Sequence, residues 1–224
     1  MRWHHPRLGL LHPKSFVPLA EQSGVIDTLT EIVMTHSFAQ LGEWLREGFH
    51  VNVSINLSAR SLVSLDLPDR VAGVAARHGI SPQQVILEVT ESWLIEDIVR
   101  ALDILSRFRI KGFGLSVDDF GTGYATLQQL QDIPFSELKI DQSFIRGASD
   151  DHGARVIADS SVSLGQKLDL QVVAEGVESA EDWQMVQRLG CDMAQGYYIA
   201  RPMEGNDVAA WFQDWRVSRG LEVL

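Results

Sequence analysis

From Ser116 to Tyr124 the sequence reads SVDDFGTGY: two adjacent carboxylates close an apolar run and two glycines follow at once. Adjacent carboxylates raise each other's pKa unless a cation neutralises them. Placed side by side, one could bridge two metal ions while its neighbour binds one. Asn56, Glu88, Lys139, Glu175 and Gln195 likewise sit at or near the ends of β-branched runs. Asn56, Glu88, Asp118, Asp119 and Glu175 offer oxygen and no sulfur, a set suited to magnesium or manganese, with calcium a competitor. Two such ions about 3.5–4 Å apart can activate a water and stabilise both oxygens of an in-line phosphoryl displacement. Lys139 could orient that water or neutralise developing charge.

Those side chains need a scaffold that brings them together. Six segments read as strands or strand ends: 51–58, 84–90, 112–120, 136–141, 170–176 and 191–198. Helical patterns lie between and around them, at Ile26–Arg46, Leu67–Arg77, Ile95–Arg109, Ala154–Lys167, Ala180–Leu189 and Asp207–Trp215, with Gly48, Gly79, Gly112 and Gly190 where helices should stop. Alternating strands and helices imply parallel β-α units, in a doubly wound sheet or a closed barrel. In VNVSINLS, Val51, Val53, Ile55 and Leu57 share one side and Asn52, Ser54 and Asn56 the other. One face suits a helix layer and the other a polar interior, which favours the barrel. The carboxyl ends of parallel barrel strands converge on one rim, where active sites are built. A single Asn or Asp at a strand end commonly caps a turn or helix. A series of six is better explained by a shared site.

Composition excludes several classes. The 224 residues, 45% hydrophobic and 22% charged, fit one large α/β domain. A formal net charge of -11 argues against binding to a nucleic acid polymer, while leaving room for a small anionic ligand if cations reverse the local sign. Cys191 is the only cysteine, so it can form no intramolecular disulfide and is expected to be a small buried hydrophobe. No apolar run approaches the roughly 20 residues of a membrane span, and a cytoplasmic location is expected. DFG here lacks the glycine-rich loop, strand lysine and H-R-D loop of a kinase, and neither a Walker sequence nor a G-x-S-x-G elbow is present. His4, His5 and His12 lack the spacing of a helical zinc site.

The segments RWHHPRLGLLHPKSFVPLAEQSG, VNVSINLSARSL, LEVTES, VDDFGTGYATL, LKIDQSFI, VVAEGVES and GCDMAQGYYIARP, in that order, resemble the EAL-domain phosphodiesterases. The resemblance implies a (β/α)8 TIM-like barrel and two-metal hydrolysis of the bacterial messenger cyclic di-GMP to linear pGpG. It implies that Asn56, Glu88 and Asp118 bind a first metal and that Asp118 and Asp119 reach a second. Lys139 is similar to the lysine that holds the attacking water, and Glu175 and Gln195 to the groups that complete the metal and water arrangement. Arg2 matches a substrate-phosphate arginine, and Glu91 a glutamate that anchors the DDFGTGY loop. The family's Glu-Ala-Leu glutamate, a metal ligand, lies just before the residues that match Arg2 and Trp3. It is therefore expected to fall ahead of Met1, together with the first two barrel strands, leaving residues 1–224 as a single EAL-type domain truncated at its N-terminus. A homodimer is expected through the loop after the aspartates and nearby helices. The alternative is a binding module that holds cyclic di-GMP or a protein partner without hydrolysing it.

Overall fold

Alternation of apolar and polar residues in the six segments produces one parallel sheet. The structure, a computed structural model, describes residues 1–58, 60–91, 98–123, 126–148 and 150–218. Its strands are β3 (Val53–Asn56), β4 (Val85–Thr90), β5 (Gly114–Phe120), β6 (Glu137–Ile140), β7 (Gln171–Glu175) and β8 (Met193–Gln195), each hydrogen-bonded in parallel to the next in sequence order. A separate antiparallel hairpin, β1 (Trp3–His5) with β2 (Gly9–Leu11), precedes them. It was not expected from periodicity, because three-residue strands are too short to show any. The backbone N–H groups of Arg7 and Leu8 both donate to His5 Nδ1 at 3.1 Å, which closes the turn of the hairpin.

The helices are α1 (Pro13–Gln22), α2 (Ile26–Arg46), α3 (Leu67–Arg77), α4 (Ile98–Ile110), α5 (Leu127–Asp132), α6 (His152–Lys167), α7 (Ala180–Leu189) and α8 (Gly205–Ser218). In α2, Ile26, Thr30, Met34, Phe38 and Leu41 are buried at three- and four-residue intervals, which lays one stripe against the sheet. Helix α7 begins with a capping box, Ser179 with Asp182, and ends at Gly190, whose φ of 79° only glycine adopts readily. Gly48, Gly79 and Gly112 also have positive φ at helix ends, as their positions suggested. The first three residues of the expected helix 95–109 lie outside the described residues. Helix α1 leaves no clear helical pattern in the sequence because Pro18 lies inside it, and α5 because it is only six residues long.

The two faces of the sheet differ in chemistry. Leu87, Leu115, Leu138, Ile140, Val172 and Ala174 are wholly buried and join Phe38, Ile104, Leu105, Phe108, Ala158 and Val186 in one core. Each large apolar side chain buried there contributes about 1.5–3 kcal/mol. The residues that alternate with them, Glu88, Ser116, Asp118, Glu137, Lys139 and Glu175, point to the opposite face. No described helix is long and apolar enough to cross a membrane. Cys191 is half-buried against the core, and burial, with Asp192 nearby, pushes its thiol up to about 11.

Candidate metal centre and active site

Lys139 is the centre of the polar face. Strand alternation sends Leu138 and Ile140 into the helix layer and Lys139 the other way, where it is 4% exposed and far from an ordinary surface lysine. Its Nζ lies 2.5 Å from Glu175 Oε1, 2.8 Å from Glu88 Oε1 and 3.0 Å from Asp118 Oδ1. Burial alone would lower the lysine pKa. The charges of Glu88, Asp118 and Glu175 outweigh that effect and raise it, so the group stays an ammonium. Asn56 Nδ2 donates to the second oxygen of Glu88 at 2.7 Å, which orients that carboxylate from the neighbouring strand.

Strict alternation would send Asp118 and Asp119 to opposite faces. The backbone removes this conflict with a β-bulge. Val117 pairs with Leu138 and Phe120 with Ile140, so three steps along β5 match two along β6. The extra residue twists the strand, and Asp119 takes a φ of 56°, a left-handed conformation that is unusual for a side chain other than glycine. As a result, carboxylate oxygens of Asp118, Asp119 and Glu175 lie within 4.8 Å of one another, the one such group of metal-ligating side chains among the described residues.

This trio fits a divalent cation on two observations. Asp118 Oδ1 is buried with no aligned hydrogen bond, leaving Lys139 at ion-pair distance as its main electrostatic partner. Two of the carboxylates are also costly to ionise. Burial, then Asp118 and Asp141, push Asp119 up to about 6. Burial, then Asp118 and Glu88, push Glu175 up to about 7, although the 2.5 Å pair with Lys139 pulls it down. A cation of charge two would offset that repulsion.

The remaining candidates are placed around this group. Glu91, 2% exposed and just past β4, accepts bonds from Gly121 N and Thr122 Oγ1, both at 3.2 Å, and so ties down the turn that follows the aspartates. Tyr124 and Ala125 of that motif lie outside the described residues. Gln195 ends β8 in register with Glu175, and its carbonyl accepts from Val177 N at 3.0 Å. Arg2 sits ahead of the hairpin, with a buried Nη1 that has no hydrogen-bond partner among the described residues. Sequence reasoning missed two acidic groups. Asp141 adds to the charge around Asp119, and its place beside Lys139 in LKID was a usable signal. Glu137, two residues before Lys139 on the same face, buried and raised by burial, was signalled by the same strand alternation.

A model of the EAL domain family matches residues 1–202. The chain belongs to the EAL domain family. This EAL domain is 41% identical over 212 residues to MucR of Pseudomonas aeruginosa, a bifunctional diguanylate cyclase/cyclic di-GMP phosphodiesterase, covering 94% of this chain and 31% of that protein. It thus spans about a third of that relative's length. The structure of the MucR phosphodiesterase in complex with c-di-GMP superposes with a TM-score of 0.88 at 41% identity, over 92% of this chain and 84% of that one. BlrP1 of Klebsiella pneumoniae, solved as a complex with calcium and cyclic di-GMP, gives a TM-score of 0.70 at 32% identity, over 76% of this chain and 43% of that one. The six parallel strands of this EAL domain are therefore an arc of a TIM-like barrel, as expected from sequence, and its acidic rim belongs to a family solved with a divalent cation.

Proposed function

We propose that this chain hydrolyses one phosphodiester bond of cyclic di-GMP to give linear pGpG. The observation that carries this reading is the convergence of Asp118, Asp119 and Glu175 beside a buried Lys139. Asp118 and Asp119 would be shared and single ligands of a cation pair, with Glu175, Glu88 and Asn56 completing the set. When bound, the cations supply a water of lowered pKa and positive charge at the phosphoryl oxygens. Lys139 would orient the attacking water, assisted by Glu175 and Gln195, and would stabilise charge as the bond to the departing ribose oxygen breaks. Arg2 would hold a substrate phosphate, and Glu91 would anchor the loop after the aspartates. The all-oxygen donors favour magnesium or manganese, with calcium binding the same ligands as an inhibitory competitor.

The test is incubation of purified protein with cyclic di-GMP and magnesium or manganese, with separation of linear pGpG. Metal-dependent pGpG that disappears in Lys139→Ala and Asp118→Asn is the expected result. Turnover that survives either change would refute the assignment of the site. One observation favours a second reading, binding without hydrolysis. Lys139 already engages Glu88, Asp118 and Glu175, and a cation must compete with it. Saturable binding with no metal-dependent product would establish that reading.

We also propose that the chain acts in the cytoplasm as a homodimer. Leu127 of α5 and Val156 and Ile157 of α6 are exposed apolar side chains near the loop after the aspartates, and a second copy would cover them. Sedimentation velocity should give a dimer; a monomer at high concentration would remove this proposal.

A further inference from the structure

Asp182 is as deeply buried as Glu91, at 2% exposure, yet the chemistry proposed above makes no use of it. Its carboxylate accepts three backbone N–H groups: Gly147 at 3.0 Å on Oδ1, and Glu178 and Ser179 at 3.1 Å each on Oδ2. The bond to Ser179 belongs to the capping box of α7, completed by Asp182 N donating to Ser179 Oγ at 3.0 Å. The bond to Gly147 does not. It crosses 35 positions of sequence to the loop that follows β6, the strand of Lys139, while Glu178 and Ser179 belong to the loop that follows β7, the strand of Glu175.

The two loops meet at other points. A Cβ on Gly176 would lie 2.4 Å from Gln142 Cβ, so the chains touch closely just past Glu175. Arg146 Nη2 reaches Glu178 Oε2 at 3.1 Å, although this pair is exposed and worth little. The β7 loop is fastened in turn to the end of β8. Val177 N donates to Gln195 O and Tyr198 N to Val177 O, both at 3.0 Å. Among the described residues Asp182 is the one buried charged group in this seam, and its two oxygens face its two sides.

We propose that Asp182 is a positioning residue for the candidate metal centre: by tying the β6 loop to the β7 loop it holds Lys139 and Glu175 at their working separation. The proposal rests on the metal-dependent reading above. A carboxylate that accepts three N–H groups is strongly directional, and outer partners of metal ligands commonly set affinity through orientation alone.

The test compares Asp182→Asn with Ser179→Ala in the full chain. Asparagine replaces one oxygen with an NH2 group, so either Gly147 N or the Glu178 and Ser179 pair must face a donor. Ser179→Ala removes only the cap to Asp182 N. Mn2+ affinity is read by calorimetry on metal-free protein, with melting temperature and with kcat and KM for cyclic di-GMP. Asp182→Asn should weaken Mn2+ binding about tenfold and lower kcat about tenfold, with KM within about twofold because no substrate contact is lost. Ser179→Ala should lower the melting temperature and leave Mn2+ affinity unchanged. If Asp182→Asn does not fold, Asp182→Glu retains the charge and the capping box but displaces the oxygens, and should weaken Mn2+ binding with its melting temperature largely kept. Wild-type affinity in whichever folded variant is measured would overturn the proposal and leave Asp182 as a helix cap. A wild-type chain that binds no Mn2+ would instead refute the underlying metal reading.

Discussion

The middle of the polar series and its two ends are built differently. On β4, β5, β6 and β7, Glu88, Asp118, Lys139 and Glu175 are held in contacts of 2.5 to 3.0 Å, and the first three are less than a tenth exposed. On the edge strands β3 and β8, Asn56 and Gln195 are exposed. The middle is therefore a charge-balanced cluster in which each ion depends on the others, while the ends are neutral groups that can be altered singly. As the proposed ligand set, these residues would have their metal affinity decided at the centre and their geometry trimmed at the margin. Four perturbations, taken in order of expected effect, break or sharpen the contrast.

The largest effect should come from Lys139→Met. It removes the one cation shared by three carboxylates and leaves buried negative charge uncompensated, which typically costs about 3–5 kcal/mol. The melting temperature in chelator should fall steeply and Mn2+ should restore much of it, because a cation can take over the charge balance. Turnover should fall about 10²- to 10³-fold, the usual loss for a group that stabilises developing charge. A mild drop in chelator would mean that the cluster is more hydrated than its burial indicates.

Asp118→Asn should come next. Lys139 keeps Glu88 and Glu175, so the loss of stability should be smaller than for Lys139→Met. The proposed metal centre, however, loses the ligand expected to be shared. Mn2+ affinity should drop by at least the about 10- to 100-fold that outer-shell changes cost, as measured by titration calorimetry. Equal losses of stability in the two variants would show that Asp118, and not Lys139, balances the middle.

How much of this contrast could be read in the sequence depends on the range of the interactions involved. Periodicity located all six strands, and β-α alternation with polar strand ends pointed to the rim, because a side chain's face follows from its own position along a strand. Helices Ile26–Arg46, Leu67–Arg77 and Ala180–Leu189 were found to the residue, since capping groups, glycines and buried stripes are local signals. The bulge that turns both Asp118 and Asp119 to one face was not legible. It is a mismatch of register between β5 and β6, and neither strand records it alone. The role of Lys139 as counter-ion to three carboxylates, and that of Asp182 between two loops, were hidden for the same reason. Each depends on groups 35 or more positions away, or on three different strands.

The third perturbation is pH. Asp119, raised to about 6 from an ordinary 3.8, and Glu175, raised to about 7 from 4.5, hold protons in the folded chain that the unfolded chain has already released. Stability follows the difference in bound protons, unfolded minus folded, which is negative here. Without metal, the contribution of these two groups to stability should therefore fall as pH rises from about 4 to about 7. In the proposed centre, Mn2+ needs both carboxylates ionised, so its affinity should rise over the same range. Near pH 6, calorimetry in buffers of different ionisation heat should register proton release on binding. A pH-independent affinity with no proton release would place both groups at ordinary carboxylate values.

The smallest effects should lie at the margin. Asn56→Ala removes the 2.7 Å bond to Glu88, but Lys139 still holds the other oxygen of that carboxylate and water can reach the exposed site. A loss of about 1 kcal/mol in stability is expected. Gln195→Ala should leave the melting temperature unchanged, because the contact tying β8 to the β7 loop uses the Gln195 backbone carbonyl and survives truncation of the side chain. Both variants should nevertheless lower turnover if they trim the ligand and water arrangement. That separation of activity from stability is what distinguishes the margin from the middle, where the two should fall together. A Gln195→Ala variant that melted as early as Asp118→Asn would show that β8 belongs to the charge-balanced cluster, and the division drawn between centre and edge would fail.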